Sequence, residues 1–147
     1  ALDRELVLKD RSIQYGFANT GVPHVVVKVS DLHKCDVLRT GAEIRYHPDF
    51  APAGTNANFI TATGRSTISI RTYERGVEDE TLACGTGIAA SAVIATLSGL
   101  VAPPVKVLTA GNDQLVVNFR MKNDTVSDLT LLGPAVYSFA GEIEYER

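Results

Sequence analysis

The chain has 147 residues, a formal net charge of -3, 45% apolar residues and 21% charged ones. That length carries one sizeable core, or two small lobes sharing one, and the composition is ordinary for a soluble globular protein. Mild acidity, with no basic run and no Arg or Lys interleaved with aromatics, argues against a nucleic-acid partner.

The longest apolar stretch, 88–100, contains Ser91, Thr96, Ser98 and Gly99, which makes it too short and too polar for a membrane span. No basic start followed by a greasy segment marks a signal peptide. The two cysteines, Cys35 and Cys84, could pair, but they suit a reducing compartment equally well, so cytoplasm is the default location. The chain begins Ala1-Leu2-Asp3-Arg4 without an initiator Met, as a processed product or the surviving part of a longer chain would.

Strand signals dominate. Residues 22–29 are mostly β-branched after Pro23 and His24 and read as a strand. Residues 31–47 carry Leu32, Val37, Leu38 and Ile44 at roughly helical spacing, a short helix or irregular excursion that Gly41 interrupts. A Pro- and Ala-rich loop, 48–54, precedes a strand over 56–62 and a tight turn at Thr63-Gly64-Arg65. Residues 66–73 alternate, with Ile68 and Ile70 on one face and Ser69 and Arg71 on the other. Glu78, Asp79 and Glu80 form an acidic loop.

The segment 86–97 is apolar nearly all round, which predicts a central helix enclosed by sheet, ended by Ser98-Gly99. A hairpin over 105–108 and 114–120 follows, then strands over 125–132, 135–139 and 142–145. The sum is α+β: a bent, mostly antiparallel sheet wrapped around one apolar helix, without a βαβ repeat.

Cys84 stands where that helix begins, in Thr81-Leu82-Ala83-Cys84-Gly85-Thr86-Gly87. Free N–H groups at a helix start favour thiolate over thiol and can hold a carboxylate or phosphate. A buried, inert core thiol is the alternative reading. Glu74-Arg75-Gly76 lies ten residues upstream. Those two charges form either a surface ion pair or a grip on a substrate carboxylate and ammonium. His24 follows Pro23 and is either structural or part of a site. Asn56 and Asn58 fall two apart and share one face of their strand, as site amides or edge residues. His24, His33 and His47 lack metal-ligand spacing and no CxxC is present, so no metal is inferred. The glycines match neither GxGxxG nor a Walker pattern, which argues against a nucleotide cofactor.

With these residues set out, the chain resembles the diaminopimelate epimerase family. The likeness is carried by Asn19-Thr20-Gly21-Val22-Pro23-His24, Gly54-Thr55-Asn56-Ala57-Asn58-Phe59, Tyr73-Glu74-Arg75-Gly76-Val77 and Glu80-Thr81-Leu82-Ala83-Cys84-Gly85-Thr86-Gly87, with Gly133-Pro134-Ala135-Val136 at the end. It spans essentially the whole chain but only about half of a family member.

The resemblance implies a cofactor-independent isomerase of lysine and peptidoglycan biosynthesis, interconverting L,L- and meso-2,6-diaminopimelate. Two similar lobes, each a sheet around a central helix, hold substrate between them, with one cysteine from each lobe on either side of the α-carbon. By that resemblance Cys84, Glu74 and His24 are catalytic, and Asn56, Glu74, Arg75, Gly85 and Thr86 bind substrate. The first-lobe Asn-Cys-Gly-Asn-Gly type motif is absent, and Cys35 has no context to replace it. Residues 1–134 then correspond to the C-terminal lobe, and 135–147 to a terminal strand that completes the missing first lobe. Partners are diaminopimelate, a first lobe supplied separately or lost, and a possible second copy in a homodimer, with neither nucleic acid nor membrane. The fragment alone is expected to be inactive.

Val22 departs from the family pattern, standing where an asparagine commonly binds substrate. It leaves open a related epimerase of another amino acid. A non-catalytic binding module that kept the fold is the remaining alternative.

Overall fold

The structure, a computed structural model, describes residues 1–123 and 125–145. One mixed sheet organises the chain. Its strands are β1 (Arg4–Val7), β2 (Ser12–Asn19), β3 (Pro23–Lys28), β4 (Asn56–Gly64), β5 (Thr67–Glu74), β6 (Asp79–Thr81), β7 (Val105–Leu108), β8 (Gln114–Lys122) and β9 (Thr125–Leu132). They lie in the order β1-β2-β3-β4-β5-β7-β8-β9, with β6 paired to β5 off that path. Among the described residues two α-helices, α1 (Val37–Arg45) and α2 (Gly85–Leu97), and a short 3-10 turn, Pro48–Phe50, complete the fold.

Two joins are parallel, β3 with β4 and β5 with β7, and the rest are antiparallel. A parallel join needs a crossover of a dozen or more residues. α1 lies on the first crossover and α2 on the second. The sheet therefore has helices on both faces, more βαβ-like in its middle than the sequence pattern suggests.

α2 is the enclosed helix. Every residue from Gly87 to Thr96 is buried, and the helix packs against β2, β3, β4, β5, β7, β8 and β9. Its apolar circumference follows: a helix touched on all sides has no solvent face to make polar. Ile88, Ala92 and Ile94 join Val26, Ile60, Ile68, Ile70, Val105, Val107 and Val117 in one core. A second core lies under α1 and holds Val25, Val27, Val37, Ile44, Ala57, Phe59 and Tyr73. Strand periodicity sorts the two, since successive side chains point to opposite faces. Val26 and Ile60 face α2, whereas Val25, Val27, Ala57 and Phe59 face α1.

Several local expectations change. Gly41 does not interrupt α1 but lies buried within it. A Cβ there would collide with Cβ and Cγ of Tyr73, so glycine is what lets the helix reach β5. The acidic segment is partly strand: β6 pairs with β5 through Tyr73↔Glu80 and Thr72↔Thr81. It is held there by Arg71, whose Nε and guanidinium NH2 donate to the two Glu80 carboxylate oxygens at 2.7 and 2.6 Å. β1 and β2 have no counterpart in the sequence expectations, because β2 buries Tyr15 and Gly16 in succession and shows no clean alternation.

The strands expected over 135–139 and 142–145 are not formed. Residues 133–145 run exposed and unpaired, with Val136, Tyr137, Phe139, Ile143 and Tyr145 open to solvent. A strand needs a neighbour to satisfy its backbone, and no described strand lies beside this segment. Glu146 and Arg147 fall outside the described residues.

Candidate active site

The polar ends of three strands meet the start of α2. On the α2-facing side of β4 the even positions read Asn56, Asn58, Ile60; on β5 they read Ile68, Ile70, Thr72, Glu74; on β3, His24 and Val26. Each strand thus turns from apolar to polar toward one end. The registers His24↔Asn56 and Asn58↔Thr72 set those ends side by side.

His24 and Asn58 are completely buried, and Asn56 and Thr72 nearly so. Each has its partners. Asn58 Nδ2 donates to Val25 O at 3.0 Å and meets His24 Nδ1 at 3.2 Å. Thr72 Oγ1 donates to Asn58 Oδ1 at 3.1 Å. His24 Nε2 lies 2.9 Å from Thr86 Oγ1. Thr20 Oγ1 donates to the Thr86 carbonyl at 2.8 Å, tying the end of β2 to the helix start. Asn56 Nδ2 donates to Pro23 O at 3.0 Å, while its Oδ1 accepts the Arg75 N–H at 2.8 Å. Thr20 and Thr72 are site residues that the sequence does not single out. For Thr72 a signal existed, a hydroxyl continuing the otherwise apolar Ile68, Ile70 face.

Cys84 is the residue immediately before α2, in extended conformation, and makes no side-chain cap to the helix. The first intrahelical bond runs from Ile88 N–H to Cys84 O at 2.8 Å. The N–H groups of Gly85, Thr86 and Gly87 therefore have no intrahelical acceptor, which leaves a site for negative charge. Gly85 is exposed, Thr86 half-buried, and Cys84 buried with 8% of its surface accessible. Its Sγ lies 3.6 Å from Thr86 Oγ1.

Glu74 and Arg75 do not pair with each other. Arg75 donates from its guanidinium to Ala53 O at 3.1 Å, and Gly76 follows at φ 95° to turn the chain. Among the described residues the Glu74 carboxylate has neither an ion-pair nor a hydrogen-bond partner. The two opposite charges are thus uncoupled from each other, and Arg75 keeps guanidinium donors beyond the one given to Ala53.

Cys35 lies on the other side of the sheet, packed against the α1 core, and both thiols are free. Burial raises its pKa. A cavity of about 700 Å³ also lies toward α1, lined by Lys9, Arg39, Glu43, Tyr46 and His47, away from Cys84. The Cys84 site instead borders solvent through exposed Gly85 and half-buried Thr86.

Burial, assisted by the nearby positive charge of Arg75, pushes His24 down from 6.5 to about 4. The imidazole is therefore neutral in the folded chain above about pH 4. Above about pH 6.5 native and unfolded states are both unprotonated and stability is full. As pH falls further, the unfolded chain binds a proton that the native chain refuses, so this contribution, on the order of 3 kcal/mol, is lost by about pH 4. Urea midpoints should stay level above about pH 6.5 and decline between there and about pH 4.5. A level profile across that window would exclude a neutral buried His24.

A family model described as diaminopimelate epimerase matches residues 16–137. The chain belongs to the diaminopimelate epimerase family. It is 46% identical over 131 residues to the diaminopimelate epimerase of Aquifex aeolicus, covering 88% of this chain and 46% of that one. Identity to the Hydrogenobaculum enzyme is 47% over 133 residues, with the same coverage of 88% and 46%. The Chlamydia trachomatis serovar D enzyme is 52% identical over 89 residues, covering 60% and 32%. The chain thus spans about half the length of the curated relatives it matches.

Among solved structures, the fold resembles a hydroxyproline epimerase from Agrobacterium vitis with bound trans-4-hydroxy-L-proline (TM-score 0.65, 19% identity, 90% of this chain and 45% of that one). It also resembles a Bacillus anthracis phenazine biosynthesis protein of the PhzF family (TM-score 0.52, 16% identity, 76% and 36%). The expected α+β fold of this family, sheet around a central apolar helix, is the one observed. Among the described residues no helix is long and apolar enough to cross a membrane.

Proposed function

We propose that this chain is one lobe of a two-lobed, cofactor-independent epimerase that inverts the α-carbon of 2,6-diaminopimelate, interconverting the L,L and meso forms. The observation that carries the reading is Cys84 at the uncapped start of α2, a thiol beside three N–H groups without intrahelical acceptors. An α-proton is far less acidic than a thiol. Donors aimed at the substrate carboxylate lower the cost of removing that proton, because negative charge grows there as it leaves. Gly85 and Thr86 supply those donors. Arg75 and Glu74 are the complement of an amino acid's carboxylate and ammonium, and the second N–H of Asn56, beyond the one given to Pro23, is available to substrate.

Inversion needs a proton removed from one face and another delivered to the opposite face. Cys84 provides for one face, and a thiol of the other lobe for the opposite one. The exposed Leu82 and Leu131 beside the site and the uncovered apolar side chains of 133–145 support a covering lobe. Closure removes water and strengthens every electrostatic interaction within. Val22 favours a second reading, the same chemistry on a related amino acid, because it offers no hydrogen bond where an asparagine commonly stands.

The test combines the chain with a polypeptide carrying the first-lobe cysteine motif and follows both inversion and α-deuterium uptake in D2O. The chain alone should give no turnover and the combined protein should give it. Turnover by the chain alone would overturn the half-site reading. An associated but inert pair on diaminopimelate that acts on another amino acid would favour the second.

A further inference from the structure

We propose that Asn58 is a positioning residue: held by Val25 and Thr72, it locks His24 as the Nε2–H tautomer, so that the Thr86 hydroxyl proton is directed at Cys84 Sγ. The proposal deepens the reading above and rests on it for its meaning in catalysis, though not for its test.

The direction of each bond follows from what each atom can do. Val25 O can only accept, so the Asn58 atom 3.0 Å from it is the amide nitrogen. With the nitrogen so placed, the oxygen end faces the Thr72 hydroxyl, which donates to it at 3.1 Å. Asn58 Nδ2 has two hydrogens. One goes to Val25 O and the other meets His24 Nδ1 at 3.2 Å. Nδ1 must therefore accept, and it carries no proton. A neutral imidazole then bears its single proton on Nε2. Nε2 lies 2.9 Å from Thr86 Oγ1, which accepts it. The Thr86 hydroxyl keeps its own hydrogen to give, and Cys84 Sγ is 3.6 Å away. Such a donation strengthens as sulfur gains negative charge.

The inner part of the relay is shut off from solvent. His24 and Asn58 have no accessible surface, and Thr72 has 3%. The charge that bears on His24 from the β5–β6 turn is Arg75. The residues bonded to it from β4 and α2, Asn58 and Thr86, are neutral. His24 thus acts on the thiol through Thr86, as a donor, and its Nδ1 is spent on Asn58. It has no free lone pair with which to take a proton from sulfur.

Long-range proton–nitrogen NMR correlations on the chain labelled with 15N-histidine read the tautomer directly. His24 should show an unprotonated Nδ1 and a protonated Nε2, unchanged from about pH 8 to about pH 5. A protonated Nδ1 anywhere in that range overturns the proposal. Asn58→Asp replaces the donor by an acceptor of equal size, so Nδ1 should gain a proton. If that variant fails to fold, the wild-type spectrum still decides.

At the thiol, Thr86→Val removes the hydroxyl and should slow alkylation of Cys84 by iodoacetamide, followed by peptide mass, about tenfold at neutral pH. Thr86→Ser should restore the rate. Equal rates in Thr86→Val and wild type would overturn the link to sulfur. The NMR and alkylation readouts need no turnover, so failure of the epimerase reading and failure of this relay are separately visible.

Discussion

Cys84→Ala, placed in an assembled two-lobed protein, should lower inversion of diaminopimelate by about a thousandfold. Deuterium uptake from D2O should survive in one of the two stereoisomers. The two effects separate because inversion uses a group on each face of the α-carbon, whereas exchange uses one. With Cys84 gone, the remaining thiol can remove a proton from its own face and return a deuteron there, and configuration is kept. Chiral analysis with mass detection of the α-deuterium reads both. Inversion within tenfold of the unsubstituted protein would remove Cys84 from the chemistry. Loss of exchange from both stereoisomers would mean that the thiol serves assembly of the site and not one face of it. Fold damage is a poor alternative, since Cys84 makes no cap bond and its side chain borders the surface.

Gly87→Ala should destabilise the chain by about 3 kcal/mol or more and disorder the site with it. An added Cβ would overlap Asn58 Oδ1 and approach His24 Cε1 to 3.3 Å. Neither neighbour can retreat, because both are hydrogen-bonded on every available atom and lie inside the strands. The methyl group must displace the helix or break the Asn58–Thr72 bond, and both costs fall on the same few residues. Gly64→Ala is the control. Its nearest new contact is Thr67 Oγ1 at 3.6 Å, so it should shift stability by less than about 1 kcal/mol. Urea unfolding of the two variants checks the contrast. Equal midpoints would show that α2 is not seated on the Asn58–His24 pair.

Those two variants bracket what can be read along the chain and what cannot. Period-two reasoning places Asn56 with Asn58, and Ile68 with Ile70, on common faces. The nearly all-round apolar circumference of 86–97 already points to an enclosed helix, because a surface helix carries a polar face. The Cys84 motif, its glycines, and the Glu74-Arg75 pair were visible for the same local reason. Turn and helix-start chemistry is written in neighbouring residues.

The pairing of Asn58 with His24 was not visible. The two are 34 positions apart and meet through the parallel join of β3 and β4. Thr72 reaches Asn58 through another pairing, and Thr20 reaches Thr86 across 66 positions. Gly41 reads locally as a helix breaker, and only the close approach of Tyr73 on β5 explains it.

The amino-acid sequence by itself determined the family, the enclosed helix, the thiol at its start and which residues share a face. Only the tertiary structure decided which faces meet, that Glu74 and Arg75 stay apart, that His24 is sealed behind Thr86, and that 133–145 finds no strand to join. The physical reason is range. Propensity, periodicity and capping act within a few residues. Register, burial and hydrogen-bond direction are settled by segments brought together from far along the chain.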